Sequence, residues 1–107
     1  METIFSHEPL VEYIRDRHNQ KVGVVVACKF EGSNDIIIGH SKVNISRGDW
    51  FDKALGLNIA LDRAVRGSRV PVPSSSVIMV NKMRERAIKY FKVTVKEVFV
   101  GGLLRTT

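Results

Sequence analysis

Residues Asp49 to Gly67 constrain this chain more than any other stretch. They read Asp-Trp-Phe-Asp-Lys-Ala-Leu-Gly-Leu-Asn-Ile-Ala-Leu-Asp-Arg-Ala-Val-Arg-Gly. At about 100° per residue, Trp50, Ala54, Leu57, Leu61, Ala64 and Val65 share one face, the spacing of an amphipathic helix. Asp49 can accept bonds from the free amides of the first turn. Gly67 can stop the helix, because glycine takes the left-handed conformation without penalty. Phe51, Leu55 and Ile59 form a second stripe, which must meet the last helix, another subunit or a partner. Gly56, Ala60 and Ala64 lie along one line and would let another backbone come close.

A helix with an apolar face needs a surface to cover. Val22 to Phe30 supplies it, a β-branched run that reads as a strand. Val22, Val24, Val26 and Cys28 lie on one side of the pleat, Val25 and Ala27 on the other, so both faces should be covered. Glu31-Gly-Ser-Asn-Asp35 carries turn chemistry, and Ile36 to Val43 reads as a second strand pairing antiparallel with the first. Gly39 inside that strand signals a bulge or a closely approaching neighbour.

Before the hairpin, Ser6 or His7 followed by Pro9 reads as a helix start. Leu10, Val11, Tyr13 and Ile14 would form the apolar side of a short helix, with Arg15 to His18 exposed and Asn19-Gln20 as a turn. After the central helix, Ser68 to Ser76 reads as a loop held extended by Pro71 and Pro73. Val77 to Lys92 fits a helix with Met79, Val80, Met83, Ala87, Tyr90 and Phe91 on a broad apolar face. Val77 to Val80 alone could instead be a strand. Val93 to Val100 reads as a strand that would extend the hairpin to three. Residues 101–107 read as a mobile tail. The expected fold is therefore α+β: an antiparallel hairpin, extended by a C-terminal strand, packed against two main helices, with a short N-terminal helix. The 107 residues have room for one small domain.

No run approaches the roughly 20 apolar residues of a membrane span, and the start lacks a signal-peptide layout, which makes cytoplasm the expectation. A single cysteine, Cys28, excludes an internal disulfide and sits in an apolar run as a small buried side chain. The net charge of +6 is uneven, with residues 1–35 near −2 and the rest near +8. A basic body attracts phosphate backbones or acidic protein surfaces. Arg63, Arg66 and Arg69 cluster at the end of the central helix, and Lys82, Arg86 and Lys89 line one side of the last. Arg84 falls at the edge of the apolar arc, either in an ion pair with Asp62 or Glu97 or as an anchor for a ligand. Trp50, Phe51, Tyr90 and Phe91 occupy predicted core positions, which argues against base stacking.

Catalytic signals are absent from the sequence. His7, His18 and His40 lie at no metal-ligand spacing, and no metal or cofactor is expected. His40 and Ser41 are strand neighbours and point to opposite faces, so they cannot act as base and nucleophile. Asp49 and Asp52 are explained by a helix start. An enzyme would require a constellation that the chain does not display.

Ile38-Gly39-His40-Ser41, then Asp49-x-Phe51-x-Lys53-x-x-Gly56-x-x-Ile59-Ala60-x-x-Arg63-Ala64, resembles a set of small proteins encoded by tailed bacteriophages. In those a strand ending Gly-Trp-Ser leads to an Asp-x-Phe-x-Lys helix, then Arg-Ala, a proline loop, and a helix ending in an aromatic pair and lysine. Here the last three are Tyr90-Phe91-Lys92, and His40 stands where the set has tryptophan. The likeness covers roughly residues 22–92. It brings no established activity. It implies a phage or prophage gene acting in bacterial cytoplasm, and small basic products of that kind tend to work by binding.

The expected function is binding without turnover: Arg63, Arg66, Arg69, Lys82, Arg86 and Lys89 would gather into one basic surface that contacts nucleic acid or a nucleoprotein complex. The rival is an inhibitor of a host enzyme or defence complex, with Phe51, Leu55 and Ile59 at the apolar centre of the interface. A host bacterial protein and a second copy of the chain are thus the other candidate partners.

Overall fold

The β-branched run does become the centre of a sheet with both faces covered. The computed structural model describes residues 5, 8–32, 35–43, 50–66, 72 and 74–91, and the backbone of 98–100. The elements in order are β1 (Leu10–Arg15), β2 (Lys21–Cys28), β3 (Ile36–Lys42), α1 (Lys53–Arg66), a 3-10 turn at Ser74–Ser76, α2 (Val77–Phe91) and β4 (Val98–Val100). Among the described residues the sheet order is β1-β2-β3-β4. The first three strands are antiparallel, and β4 runs parallel to β3. The fold is α+β, as its hairpin and two main helices imply.

Alternation along β2 assigns each helix its own face. Val24, Val26 and Cys28 pack with Ile37, Ala60 and Ala64 under α1. Val25 and Ala27 pack with Leu10, Ile14, Ile36, Ile38, Val80, Met83, Ala87 and Phe91 under α2. Residues 24 to 28 of β2 are completely buried. Two helices on opposite faces of one sheet cannot touch along their lengths. The Phe51/Leu55/Ile59 stripe is therefore not covered by the last helix. Asp62 of α1 likewise cannot reach Arg84 of α2, which is exposed; the other suggested partner, Glu97, lies outside the described residues.

The expected N-terminal helix is instead the edge strand β1. Its residues fit a helical pattern because both of its faces are covered. Leu10 and Ile14 join the α2 side while Val11 and Tyr13 join the α1 side. A strand apolar at positions 1, 2, 4 and 5 is indistinguishable by periodicity from one helical turn. The deciding signal was in the turn. Asp16 Oδ1 accepts the amides of His18 and Gln20 at 2.8 and 3.0 Å. Asn19 N donates to Asp16 O at 2.9 Å, and Asn19 takes the left-handed φ of 62°. That is a type I turn closed by a left-handed residue, a standard hairpin connection. The ladder then slips by one residue between Ile14–Gly23 and Arg15–Lys21. Val22 is the extra residue, which turns it to the α2 side with Ile14 and away from Val24.

Helix α1 begins later than its sequence suggests. Asp52 caps it: its Oδ1 accepts Leu55 N at 3.0 Å, and its carbonyl accepts Gly56 N at 2.8 Å. Phe51 precedes the cap and folds its ring over Gly56, the position where a hydrophobic staple closes. The buried residues are Gly56, Ala60 and Ala64. The face on the sheet is thus roughly a quarter turn from the one that hydrophobicity selects. Leu57 and Leu61 flank it half-buried, and Trp50 is 90% exposed rather than in the core. The reason is Gly39. A Cβ built there would penetrate the carbonyl oxygen of Ala60 and fall 2.8 Å from Ala64 N and 2.9 Å from Ala64 Cβ. Helix backbone lies directly on strand backbone, and only the smallest side chains fit between. Ser41 Oγ adds a bond to Gly56 O at 2.8 Å.

Helix α2 starts at Val77 after the serine turn, so Val77 to Val80 is helical and not a strand. Val80, Met83, Ala87 and Phe91 are its buried stripe. The end of the last strand is observed as β4, a fourth strand and not a third; residues 92–97 and the tail 101–107 lie outside the described residues, as do Asp49, Gly67, Pro71 and Pro73.

Two outcomes follow from this packing. Gly39→Ala should lower the free energy of unfolding in urea by about 3 kcal/mol, the upper range for overpacking a rigid contact. The Cys28 thiol is wholly buried and burial pushes its pKa up to about 12. It should resist a thiol reagent in the native protein at pH 8 and react fully in denaturant.

Candidate nucleic-acid interface

The five described cations of the six singled out in the sequence do not share a surface. Arg63 and Arg66 are on α1 and Lys82, Arg86 and Lys89 on α2, across the sheet from each other; Arg69 lies outside the described residues. Several are also occupied. Arg66 pairs with Asp62 at 2.9 Å, and Arg86 pairs with Glu12 of β1. Arg63 is half-buried and donates to His40 O at 3.0 Å. Lys82 and Lys89 remain as exposed cations of α2, beside Arg84 and Glu85. The expectation of one outward basic side is corrected by alternation: what separates Val24 from Val25 also separates the two helices.

A different set of cations does converge. The β1–β2 turn, the end of β3 and the start of α1 all lie at one end of the sheet, because Gly23 pairs with Lys42 and Ser41 bonds Gly56. Arg15 and Lys21 are directly opposite each other in the β1–β2 ladder. Like charges in that position repel. Lys21 Nζ sits 4.5 Å from the centre of the Tyr13 ring, and Lys53 Nζ, from the first turn of α1, sits 5.4 Å from the same ring. The electron-rich face of Tyr13 is what tolerates two ammonium groups there. Tyr13 is itself held edge-on by Phe51, with ring centres 6.2 Å apart. Arg17 is exposed at the tip of the turn, and Arg15 donates to Asn19 O at 2.9 Å.

Among the described residues two carboxylates lie in this region, Asp16 and the exposed Asp52, and each is engaged by backbone. Asp16 accepts two backbone amides of the turn and Asp52 accepts one at the helix start. The amide of Gln20 does most to hold Asp16 below its ordinary 3.8; desolvation opposes it, and the amide of His18 with the charges of His18 and Arg17 tips the balance downward. Their charges offset part of the positive field, while one oxygen of each, Oδ1, is taken up by backbone amides.

Beside this cluster is a cavity of about 100 Å³. Phe51, Leu55 and Ile59, the predicted partner-binding stripe, all line it, together with Trp50, Lys42 and Arg63. Phe51 and Ile59 are half-buried, while Leu55 is 58% and Trp50 90% exposed. The structure thus brings the apolar stripe next to a cationic region, but to one drawn from the hairpin and helix start. Sequence reasoning missed Arg15, Arg17 and Lys21 because it weighed charge by segment, and the first 35 residues balance as acidic; Lys53 is legible as a cation one turn into the central helix, but not as their neighbour. The Asp-x-x-Asn-Gln hairpin turn was the available signal.

Elsewhere, His40 is buried with its side chain on the α2 face by strand alternation, and Ser41 is on the α1 face, so the pair is not a dyad. Among the described residues no group of three or more His, Cys, Asp or Glu is placed to hold a metal, and no helix is long and apolar enough to cross a membrane. No family model, curated protein or solved structure matches the chain.

Because the folded-state pKa of Asp16 is depressed, its turn bonds are fully made above the ordinary carboxylate range and are lost as pH falls through the depressed value. The amide shifts of His18 and Gln20 should therefore titrate together with a midpoint below 3.8, and Asp16→Asn should remove that titration.

Proposed function

We propose that this chain works by binding nucleic acid or a nucleoprotein complex, through the hairpin end of its sheet. The observation that carries this reading is the meeting of Lys21 and Lys53 at Tyr13, with Arg15 opposite Lys21 in the ladder and Arg17 at the adjoining tip, while the nearby Asp16 and Asp52 bond backbone amides. Like charges pressed together cost free energy unless an anion lies over them. A phosphate backbone supplies closely spaced negative charges and gains entropy from the counterions it releases. Origin in a phage, which the Asp-x-Phe-x-Lys resemblance implies, fits a small basic accessory protein of this kind in a bacterial host.

A second reading has its own support. Trp50 and Leu55 expose large apolar surface around the cavity, and aromatic anchors of this type are enriched at protein interfaces. Such a patch suits an inhibitor that occupies a host enzyme or defence complex.

Short oligonucleotides at low and moderate salt separate the two. The expected result is binding that weakens steeply with salt. Lys21→Gln with Lys53→Gln should lower the slope of log K against log salt by about 1 to 2, the counterion stoichiometry of two phosphate contacts. Lys82→Gln with Lys89→Gln should change it less. Absence of binding to any oligonucleotide at low salt, with a protein retained from nuclease-treated bacterial lysate and lost in Leu55→Asp, would replace the first reading by the second.

A further inference from the structure

We infer that the cavity beside Trp50 receives an unpaired base, so that the ligand is a single strand and not a duplex. This rests on the nucleic-acid reading and narrows it. Three features of the site point the same way. The first is Trp50, 90% exposed on the rim of the cavity. An indole left in water at the edge of an apolar recess offers a flat face to any planar ring, and every base has one. The second is the interior. Phe51, Leu55 and Ile59 give the recess apolar walls, with Ser41 and Asp52 also on its lining, and about 100 Å³ is the scale of one base and far below that of a helix. The third is the rim chemistry. Arg63 uses Nη1 on His40 O. A guanidinium has five donors in a fixed fork, so others remain for the acceptor edge of a base.

The lining carries two cations, Lys42 and Arg63, against one carboxylate, Asp52, and with the lysines beside it this balance favours nucleic acid over an apolar peptide. Lys53 follows Trp50 by three residues and reaches the Tyr13 ring, where Lys21 also sits. A strand with a base against Trp50 would carry its neighbouring phosphates across those lysines. Single-strand sites combine these two parts, a stacking aromatic and a cationic track for the backbone. In a duplex the base faces are stacked on one another, and reaching one requires extruding it. The deciding fact is the late start of α1. Capping at Asp52 leaves Trp50 ahead of the helix and outside the core.

Trp50 is the sole tryptophan of the chain, so its fluorescence reads the proposed contact directly. The protein is titrated at low salt with a twelve-residue oligothymidylate and with a hairpin duplex of similar charge. The single strand should quench the emission and bind at least ten-fold tighter than the duplex. Trp50→Ala should lose ten-fold or more in single-strand affinity, the scale of one stacked base, and keep the salt slope. Lys21→Gln with Lys53→Gln should do the reverse, flattening the slope while quenching persists at saturation. Circular dichroism controls for folding, and the exposure of Trp50 favours an intact fold. Equal affinity for strand and duplex, or unaltered binding by Trp50→Ala, would overturn the base pocket and leave the broader nucleic-acid reading standing. No binding of either probe would overturn both. Capture of a lysate protein through Trp50, without oligonucleotide binding, would assign the recess to a protein partner.

Discussion

Among the described glycines the tightest approach is that of Gly39 to the Ala60–Ala64 turn of α1. Helix and sheet ordinarily meet through layers of branched side chains; here one backbone rests on another. That contact decides the rest of the α1 face. It selects Gly56, Ala60 and Ala64 as the buried stripe and sets the helix rotation. The larger residues are then displaced to the flanks, Leu57 and Leu61 half-buried on one side and Ile59 beside Arg63 on the other. The cavity and its exposed tryptophan are products of a helix that sits too low to tuck them underneath.

Much of this was legible before any coordinates. The two-sided burial of β2, the β3 partner strand, the extent of α2, the buried Cys28 and the opposed directions of His40 and Ser41 follow from period-two alternation and composition. Gly39 and the small-residue line of α1 were each visible as marks of close approach. What periodicity could not supply was that they mark the same contact. Ranking helix faces by hydrophobicity put Trp50 inside, when steric fit had to be ranked first.

The other errors share a cause. An edge strand buried on both sides has no alternation to read, so β1 imitates a helical turn, and only the Asp16 to Gln20 connection betrays it. Charge summed along the chain is equally blind to folding. Arg66 and Arg86 look available in sequence and are paired in space, whereas Arg15 and Lys21 look offset by neighbouring acids and stand opposite each other in the ladder. Convergence of cations is a property of topology, set here by which loops share an end of the sheet.

The two helices pack on opposite faces of the sheet between them. β2 is a partition wall whose odd and even positions answer to different tenants: Val25 and Ala27 to α2, Val24, Val26 and Cys28 to α1. A change of volume at one parity reaches only one helix, so each outer surface of this protein is free to drift in sequence without disturbing its opposite. The wall itself has no such latitude, since neither side of it ever meets water.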